Sequence, residues 1–438
     1  MRRILIPTLA LALTVLTSAC GPSAAYHQRL TGHLAAGECE KAAELVEESR
    51  DDYGANAELL YLLDGAMVNF NCGDQERAQR QFQEADQLAE RLWTESISAN
   101  TLALVTNDYL LPYAGEDFER VMIHLLAALS YLKSDQLDEA LVECRRLDSL
   151  LTLYRSKYEE ASVYKEDAFA RYLSGMLNED DQAMDDAYID YAKAYGIYAD
   201  YKAAYGTPAP PILVEDLLRT AKTVDRVEDA EKLVPKEDRQ RHLSRTEARD
   251  MGRIVLIHLN GEAPQKQEDR IYLPTFGYGP LTIAFPRMEI LPPDCRKCRL
   301  ILTATTGMRI TAEGFLAEDI NRIAVKDLDD RKARILLKAA ARAAAKQVAI
   351  HQIANTSKDR DSRNLIVTAF NIVNIFLEQA DTRSWRTLPG EIYLARAYVP
   401  PGTYKVAVGT CHGAGKPMDQ VRVAAGETRY LIVDGRYE

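Results

Sequence analysis

The chain has 438 residues, of which 47% are hydrophobic and 27% are charged, a balance that indicates a globular protein of two or three domains. This composition excludes an intrinsically disordered chain and a polytopic membrane protein. The net charge of −11 and the pI of about 5.3 argue against a nucleic-acid partner, because proteins that bind nucleic acid concentrate lysine and arginine.

Residues 1–19 have the pattern of an export signal, because two arginines precede an apolar run that is too short to span a membrane. The run ends in Ser18-Ala19-Cys20, and small residues directly before a cysteine resemble the lipobox of bacterial lipoproteins. The resemblance implies that Cys20 is lipidated and anchors the mature protein in a lipid bilayer. An ordinary secretory peptide cleaved nearby is the alternative. Gly21 is not the aspartate that retains enteric-type lipoproteins in the inner membrane, so we expect the outer membrane, facing the periplasm.

Charge is distributed unevenly along the chain. Residues 20–205 carry 16 basic and 35 acidic side chains, whereas residues 206–438 carry 36 basic and 30 acidic ones. The net charge therefore changes from −19 to +6 between the two parts. Such a switch indicates two domains with different partners, or two domains that attract each other.

Apolar residues recur at every third or fourth position between residues 24 and 204, which predicts helices. Four segments share a frame in which two mostly small residues, twelve positions apart, flank a polar turn. The paired positions are Ala66 and Ala78, Ala128 and Ala140, Gly175 and Ala187, and, more weakly, Leu30 and Ala42. This frame resembles the tetratricopeptide repeat, a helix–turn–helix unit of about 34 residues in which small residues let two helices touch. An all-α bundle that mimics the spacing is the alternative.

The pattern changes in the second half of the chain. A proline-rich segment ends the helical part, and residues 206–252 are typical of a polar, helical linker. Alternating hydrophobicity then predicts strands, and two turns near the end resemble those of transthyretin-like β-sandwich modules. The predicted strands are 254–259, 270–273, 281–285, 299–303, 309–312, 391–399, 403–408, 420–423 and 429–433. We therefore predict an α+β, multidomain chain: a helical repeat domain at 20–205, then a β-sandwich at 253–438 with a helical insertion at about 315–380.

The predicted insertion carries two unusual segments. Five basic residues form a stripe on one helix face, namely Arg331, Arg334, Lys338, Arg342 and Lys346. Two interpretations are open: contact with an anionic surface (lipid headgroups, cell-wall polymer or the acidic first half) and an ordinary solvated face. Residues 365–377 are apolar but too few to span a membrane, so we expect a buried helix or a partner surface there.

The predicted export places the cysteines in an oxidising compartment, where disulfides form and persist. Cys39 and Cys72 each flank the turn of a neighbouring helical unit, which makes a structural disulfide between them plausible. Cys144 occupies a core position of its helix, where we expect a buried thiol.

A second group of cysteines lies in the stranded half. Cys295 and Cys298 form a Cys-x-x-Cys pair, for which we expect a loop-closing disulfide. A four-ligand zinc site completed by Cys411 and His412 is the alternative.

Catalytic and metal-binding signatures are missing from the sequence. The seven histidines show no zinc-protease spacing, no Gly-x-Ser-x-Gly motif occurs, and two glycine-rich segments fall short of nucleotide-binding loops. We expect no enzymatic activity, no cofactor and no bound metal.

Taken whole, the chain resembles a family of little-characterised bacterial lipoproteins with a tetratricopeptide-like N-terminal half. The segments that carry this resemblance include Asn107-Asp108-Tyr109, Leu259-Asn260-Gly261-Glu262 and Ser384-Trp385. The resemblance implies no activity. The expected function is a membrane-tethered periplasmic scaffold or adaptor that binds a protein partner through the concave surface of its repeats, for example in envelope assembly. The alternative is an enzyme or carrier that acts on cell-wall or lipid material at a cleft between the two halves.

Overall fold

The computed structural model describes residues 22–98, 111–158, 164–239, 243–273, 281–356 and 379–437, together with residues 359, 361, 363, 367 and 368. The predicted export signal, Cys20 and most of the apolar stretch 365–377 lie outside the described residues. Within the described ranges, no helix combines the length and the apolarity that a membrane crossing requires.

The first half of the chain consists of helices joined by short turns. In chain order the helices are α1 Ala24–Ala35, α2 Cys39–Glu48, α3 Arg50–Tyr53, α4 Glu58–Cys72, α5 Gln75–Ser98, α6 Asp117–Lys133, α7 Leu137–Tyr158, α8 Ala168–Asp180, α9 Met184–Ala204, α10 Pro211–Thr223, α11 Val227–Leu233 and α12 Arg245–Arg249. The four predicted repeat frames coincide with the hairpins α1–α2, α4–α5, α6–α7 and α8–α9. The first half is therefore a series of helical hairpins.

Small residues set the distance between the two helices of a hairpin. A Cβ atom added at Gly175 would lie 2.5 Å from the ring of Tyr191, so glycine is needed for α8 and α9 to approach this closely. Ala66 and Ala78 are fully buried in the same way between α4 and α5. The turn between those two helices is closed by Gly73, whose φ of 87° is a left-handed conformation that glycine adopts without strain.

The second half contains strands that form two four-stranded sheets and a ribbon. The strands are β1 Gly252–Glu262, β2 Gln265–Leu273, β3 Leu281–Glu289, β4 Arg299–Ala304, β5 Arg309–Glu313, β6 Phe315–Asp319, β7 Pro389–Val399, β8 Gly402–Thr410, β9 Gly413–Val423 and β10 Thr428–Asp434. The central sheet has the order β10-β1-β7-β6, the second sheet has the order β5-β4-β8-β9, and β2 pairs with β3. All these pairs are antiparallel except β1 with β10. Each strand predicted from the sequence lies within one of the observed strands.

Residues of β1 alternate between the two faces of the central sheet, as the pleat of a strand requires. Val255, Ile257 and Leu259 belong to a hydrophobic core that the sheet shares with the helices. Ile254 and Leu256 belong to a second core that the sheet shares with β4 and β8 of the second sheet. The central sheet therefore lies between the helices and the second sheet.

The helical insertion begins later than the sequence predicts. Residues Phe315–Asp319 form β6, which pairs with β7 at the edge of the central sheet. The long helix α13 begins only after this strand and covers Ile320–Asn355. Asp319 is buried in the strand and also caps the helix, because its side chain accepts a hydrogen bond from the backbone N–H of Arg322 at 3.0 Å. The sequence does not reveal β6 because this strand ends in two acidic residues and leads directly into a helix. Apolar and polar residues therefore show no clear alternation there.

Candidate functional site

The helices pack directly against the central sheet, and residues of both share one hydrophobic core. Trp385 is 1% exposed and lies in the shared core, with its ring centroid 6.4 Å from that of Phe82 on α5. Its backbone N–H donates to Glu119 of α6 at 2.8 Å. The hydroxyl of Tyr198 on α9 donates to the carbonyl of Ala317 in β6 at 2.9 Å. The sheet-facing side of the hairpins is therefore buried within the protein.

A buried carboxylate on α10 joins the helices to strand β7. Asp216 is fully buried and accepts hydrogen bonds from Tyr172 at 2.7 Å, from Arg219 at 2.5 Å and from Arg396. Burial alone would raise the pKa of Asp216, but Arg396, Arg219 and Arg253 lower it to about 2. The charge is therefore held in the interior by arginines from both halves of the chain.

The end of α8 makes a similar junction with β1 and β10. Glu179 accepts from Arg253 at 2.9 Å and from Arg219 at 2.8 Å, and Asp180 also pairs with Arg253. The hydroxyl of Tyr430 donates to Asp180 at 2.6 Å. Polar residues at this end of the sheet are thus matched with residues of the helices.

A third junction involves the basic stripe of α13. Glu116, at the start of α6, pairs with Lys266 of β2 and with Arg331 of α13. Burial would raise the pKa of Glu116, but Arg331 and Lys266 hold it well below its usual range. Arg331 also pairs with Asp327 on its own helix at 2.6 Å. Contact with the acidic first half, one of the interpretations considered for the stripe, therefore holds for Arg331.

The rest of the stripe does not form an open face. Each of the other four residues of the stripe has an interaction partner. These residues are Arg334, Lys338, Arg342 and Lys346. Arg342 is only 4% exposed, which contradicts a fully solvated or envelope-facing stripe. Arg334 is exposed, whereas Arg331, Lys338 and Lys346 are half-buried. Two apolar residues of the same helix are also exposed, Leu337 at 73% and Val348 at 58%. The stripe is therefore partly buried and partly exposed.

The first predicted disulfide links two helical hairpins. Cys39 at the start of α2 is bonded to Cys72 at the end of α4, with the two Cα atoms 5.6 Å apart. Cys144 is a buried thiol on α7, and burial raises its pKa to about 12. Such a thiol is unreactive at neutral pH.

The second predicted disulfide has a different partner. Cys295 is bonded to Cys411, whereas Cys298 is buried in the core between the two sheets. The expected Cys295–Cys298 bridge is therefore wrong, and the alternative zinc site is excluded because two of its four ligands are consumed. The reason lies in the register of β4 and β8, which places Arg299 opposite Gly409 and so brings the loop before β4 to the turn after β8.

A cleft of about 630 Å³ opens at one end of the space between the two sheets. Four segments line it: the end of β1, the loop before β4, the turn after β8 and the tail after β10. The disulfide between Cys295 and Cys411 joins two of these segments at the rim. The volume falls in the range that ligand-binding pockets of proteins usually have.

His258 is the most deeply buried of the β1 residues that line the cleft. It is 3% exposed, and among the described residues neither of its ring nitrogens has a hydrogen-bond partner. Burial lowers the pKa of His258 below 6.5, although Asp434 acts in the opposite direction, so the imidazole is neutral at pH 7. A Cβ atom at Gly435 would lie 2.1 Å from Nε2, so the tail after β10 requires glycine to cross the ring.

Polar residues continue outwards from His258 along the same face of the sheet. The side-chain amide of Asn260 donates to the carbonyl of Cys295 at 2.9 Å and to Glu391 at 3.2 Å. Glu391 is fully buried, accepts from Tyr393 at 3.2 Å and pairs with Arg296 at 3.0 Å. Burial raises the pKa of the Glu391 carboxyl, while Arg296 acts to lower it. These residues hold the wall of the cleft in place and connect it to the disulfide loop.

The tail that covers His258 is fixed by one arginine. The guanidinium of Arg436 donates to Asp434 at 2.6 and 2.8 Å and to the carbonyls of Thr387 and Leu388 at 2.9 and 3.0 Å. Its charge is therefore neutralised within the protein.

Sequence reasoning did not assign His258, Asn260 and Glu391 to a site. One local signal was present, since His258 and Asn260 are two polar residues at alternate positions directly after the apolar run 254–257. Glu391, however, lies 131 residues beyond Asn260 in the chain, and only the pairing of β1 with β7 brings them together. Within the described part of the chain, no group of three or more His, Cys, Asp or Glu side chains is placed to hold a metal ion. The cleft thus offers hydrogen-bonding groups and apolar walls, an arrangement suited to binding.

Comparisons with known proteins leave the relationships of the chain open. No family model matches it, and no curated protein matches it either. A solved structure of MamA AMB-1 aligns with 48% of this chain and 85% of its own chain, at 12% sequence identity and a TM-score of 0.27. Because a similarity of that size carries no argument about fold or function, the function is inferred from the geometry of the chain itself.

Proposed function

We propose that the protein is an exported, lipid-anchored binding protein of the cell envelope, an adaptor that holds a protein partner at the cleft between its two sheets. In this proposal Cys20 carries the lipid, the outer membrane is the anchoring membrane, and the folded part faces the periplasm. The helical hairpins form a tetratricopeptide-like array, and the two sheets form a β-sandwich. The array supports the sandwich, and the protein binds its partner without catalysis and without a cofactor.

The observation that carries this proposal is the unpartnered imidazole of His258 in the wall of the cleft. Buried polar groups in folded proteins almost always have hydrogen-bond partners, and leaving one unpaired costs about 1–3 kcal/mol. His258 is such a group among the described residues, and it lies beside a cavity large enough for a ligand. A partner that enters the cleft and bonds to His258 removes this cost.

The two disulfides support export. Disulfides persist in oxidising compartments such as the bacterial periplasm and are rare in the cytosol. Both Cys39–Cys72 and Cys295–Cys411 have Cα–Cα distances of 5.6 Å, within the range of unforced disulfides.

Lipid anchoring is tested by the variant Cys20→Ser, labelled metabolically with palmitate. We expect the variant to lose the label and to leave the membrane fraction, because the acyl chains are its anchor. Labelling that equals that of the unmodified chain would show that Cys20 is not the lipidated residue.

Binding at the cleft is tested by photo-crosslinking in the native envelope. One photoreactive residue replaces Lys297, an exposed residue of the rim, and in a matched control it replaces Glu139, an exposed residue on α7. We expect a protein adduct from position 297 and none from position 139. Adducts from position 139 alone would place the partner's binding site on the helices. The absence of a protein adduct at position 297 would overturn the proposed role of the cleft.

A second candidate function, an enzyme or carrier for cell-wall or lipid material, is favoured by one observation. Glu391 is a fully buried carboxyl with a raised pKa, next to the cleft and in contact with Arg296, and such groups occur in active sites. It is tested by incubating the purified chain and its Glu391→Gln variant with isolated cell-wall sacculi and envelope lipids. Products formed by the unmodified chain alone would replace the adaptor proposal with this one.

A further inference from the structure

The chemistry of the cleft constrains what enters it, and this inference rests on the proposed function. His258 offers an uncharged ring with one N–H donor and one bare nitrogen acceptor, both without a partner among the described residues. Hydroxyl and amide groups both donate and accept hydrogen bonds, so either can pair with whichever nitrogen it reaches. A carboxylate can only accept and an ammonium group can only donate.

The charges around the cleft also favour an uncharged ligand. The guanidinium of Arg436 is matched by Asp434, and the carboxyl of Glu391 is matched by Arg296. Among the described residues of the lining, the remaining charged ones are Glu262, Asp294 and Lys297, which carry both signs. This described part of the lining therefore lacks the concentration of one charge that recognition of a phosphate or a polycation requires.

Part of the lining is apolar. Leu291, Pro292 and Pro293 form part of the lining, and the described lining residues include no Phe, Tyr or Trp ring. Sugar rings are commonly held by stacking on aromatic faces, whereas a peptide segment combines apolar side chains with hydrogen-bonding groups. A mixed lining of this kind fits a peptide better than a saccharide.

We propose that the cleft receives an uncharged peptide segment of the partner protein, and that a hydroxyl or amide side chain of this segment (Ser, Thr or Asn) bonds to His258. The apolar wall holds the neighbouring part of the segment, and the disulfide between Cys295 and Cys411 keeps the rim in place. His258 is thus the residue that selects the bound side chain.

The test uses the full chain in its Cys20→Ser form and observes the histidine side-chain nitrogens by NMR. The probes are capped single residues, N-acetyl-X-N-methylamides with X equal to Ser, Asn, Ala, Asp or Lys, and free N-acetylglucosamine. We expect the Ser and Asn probes to shift the His258 resonances at concentrations at which the Ala, Asp and Lys probes do not. His33 on α1, which pairs with Glu38 and is not among the lining residues of the cleft, is the internal control and keeps its resonances.

A variant sharpens this test. His258→Phe keeps a ring but removes both nitrogens, and we expect it to weaken binding of the Ser probe at least tenfold, whereas His33→Phe on α1 leaves it unchanged. The comparison of the Ser and Ala probes needs no variant, so it tests the proposed ligand chemistry even if His258→Phe fails to fold.

Several outcomes would overturn the proposal: a stronger response to the Asp or Lys probe, a His258 shift with N-acetylglucosamine alone, or no shift with any probe. None of these results changes the crosslinking expected at position 297. Failure of the probes therefore removes the assigned ligand chemistry, while failure of the crosslink removes the proposed function itself.

Discussion

In strand β1, the two faces of the central sheet carry their polar residues at opposite ends. On the face towards the helices, the polar end lies at the start of β1, where Arg253 lies opposite Thr428 of β10 and Tyr398 of β7. On the face towards the second sheet, the polar end lies near the close of β1, where His258 and Asn260 stand beside residues of β7. Between these ends of β1, Val255, Ile257 and Leu259 on one face and Ile254 and Leu256 on the other are apolar and buried, each set in its own core.

The two polar ends differ in how completely their groups are paired. Arg253 and Arg396 both bond to carboxylates of the helices. His258 has no hydrogen-bond partner among the described residues. Polar groups that are fully paired within the protein hold its parts together, whereas an unpaired group beside a cavity is available to a ligand. The same sheet thus uses one face for cohesion and the end of the other for binding.

The largest expected effect comes from breaking the paired face. Asp216→Asn removes the buried negative charge that Arg219 and Arg396 share and leaves them Glu179 and Glu215 as carboxylate partners, so we expect the free energy of unfolding to fall by about 3–5 kcal/mol. Glu215→Gln is the matched control, because Glu215 pairs with the same Arg396 but is 27% exposed, and it should cost less than about 1 kcal/mol. Urea denaturation followed by circular dichroism measures both. Equal losses in the two variants would contradict the difference drawn between buried and exposed pairs.

A second prediction compares the two cores from adjacent positions of one strand. Ile257 faces the helices and Leu256 faces the second sheet, and both are fully buried. We expect Ile257→Ala and Leu256→Ala each to destabilise the protein by about 2–5 kcal/mol. Because the core around Ile257 contains residues from both halves of the chain, each variant should still unfold in a single transition.

The number of unfolding transitions also tests the predicted domain boundary. The switch in charge and periodicity predicts two separately folding halves with a boundary between residues 205 and 252, and that boundary stays a prediction. Two separate transitions, of which only one moves in Ile257→Ala, would favour independent halves over the shared core.

Local patterns made the elements predictable. Helical hairpins follow from periodicity and from pairs of small residues such as Ala66 and Ala78, because both signals lie within one short segment. The strand β6 was missed because its pairing with β7 crosses α13, and because Glu318 and Asp319 interrupt the alternation. The direction in which the basic stripe faces could not be predicted either. The sequence of a helix shows its periodicity, but it does not show which side of the helix the neighbouring elements cover.

Long-range pairing explains what the sequence did not show about the site. Cys295 has a near neighbour in Cys298, yet its partner lies 116 residues away, because β4 and β8 are adjacent in the second sheet. Disulfide connectivity cannot be deduced from spacing for this reason. The cleft itself is formed by four segments that only the folded sheets bring together.

The smallest expected effect is on the pH dependence of stability, and it compares a paired imidazole with the unpaired one. His124 lies between Glu143 at 2.8 Å and Asp86 at 3.3 Å. Burial alone would lower its pKa, but hydrogen bonds to Asp86 and Glu143 raise it to about 9. The folded pKa exceeds the unfolded value of about 6.5, so the stability that His124 contributes is present below pH 6.5 and is lost as the pH rises towards 9. Burial lowers the pKa of His258, so its effect has the opposite sign: stability is lost as the pH falls below 6.5.

We therefore expect substitution of each histidine to flatten a different limb of the stability curve. His124→Gln should remove part of the decline between pH 6.5 and 9, a contribution of at most about 3 kcal/mol, since the pKa rises from 6.5 to about 9 and one pKa unit corresponds to about 1.4 kcal/mol. His258→Gln should leave that limb unchanged and reduce the decline below pH 6.5, because glutamine takes up no proton on unfolding. Urea denaturation at closely spaced pH values measures both limbs on the same chain. If both variants flattened the same limb, the two imidazoles would not differ in pairing. The contrast between the paired face of the sheet and the face that carries the cleft would then fail at His258, the residue on which the proposed site depends.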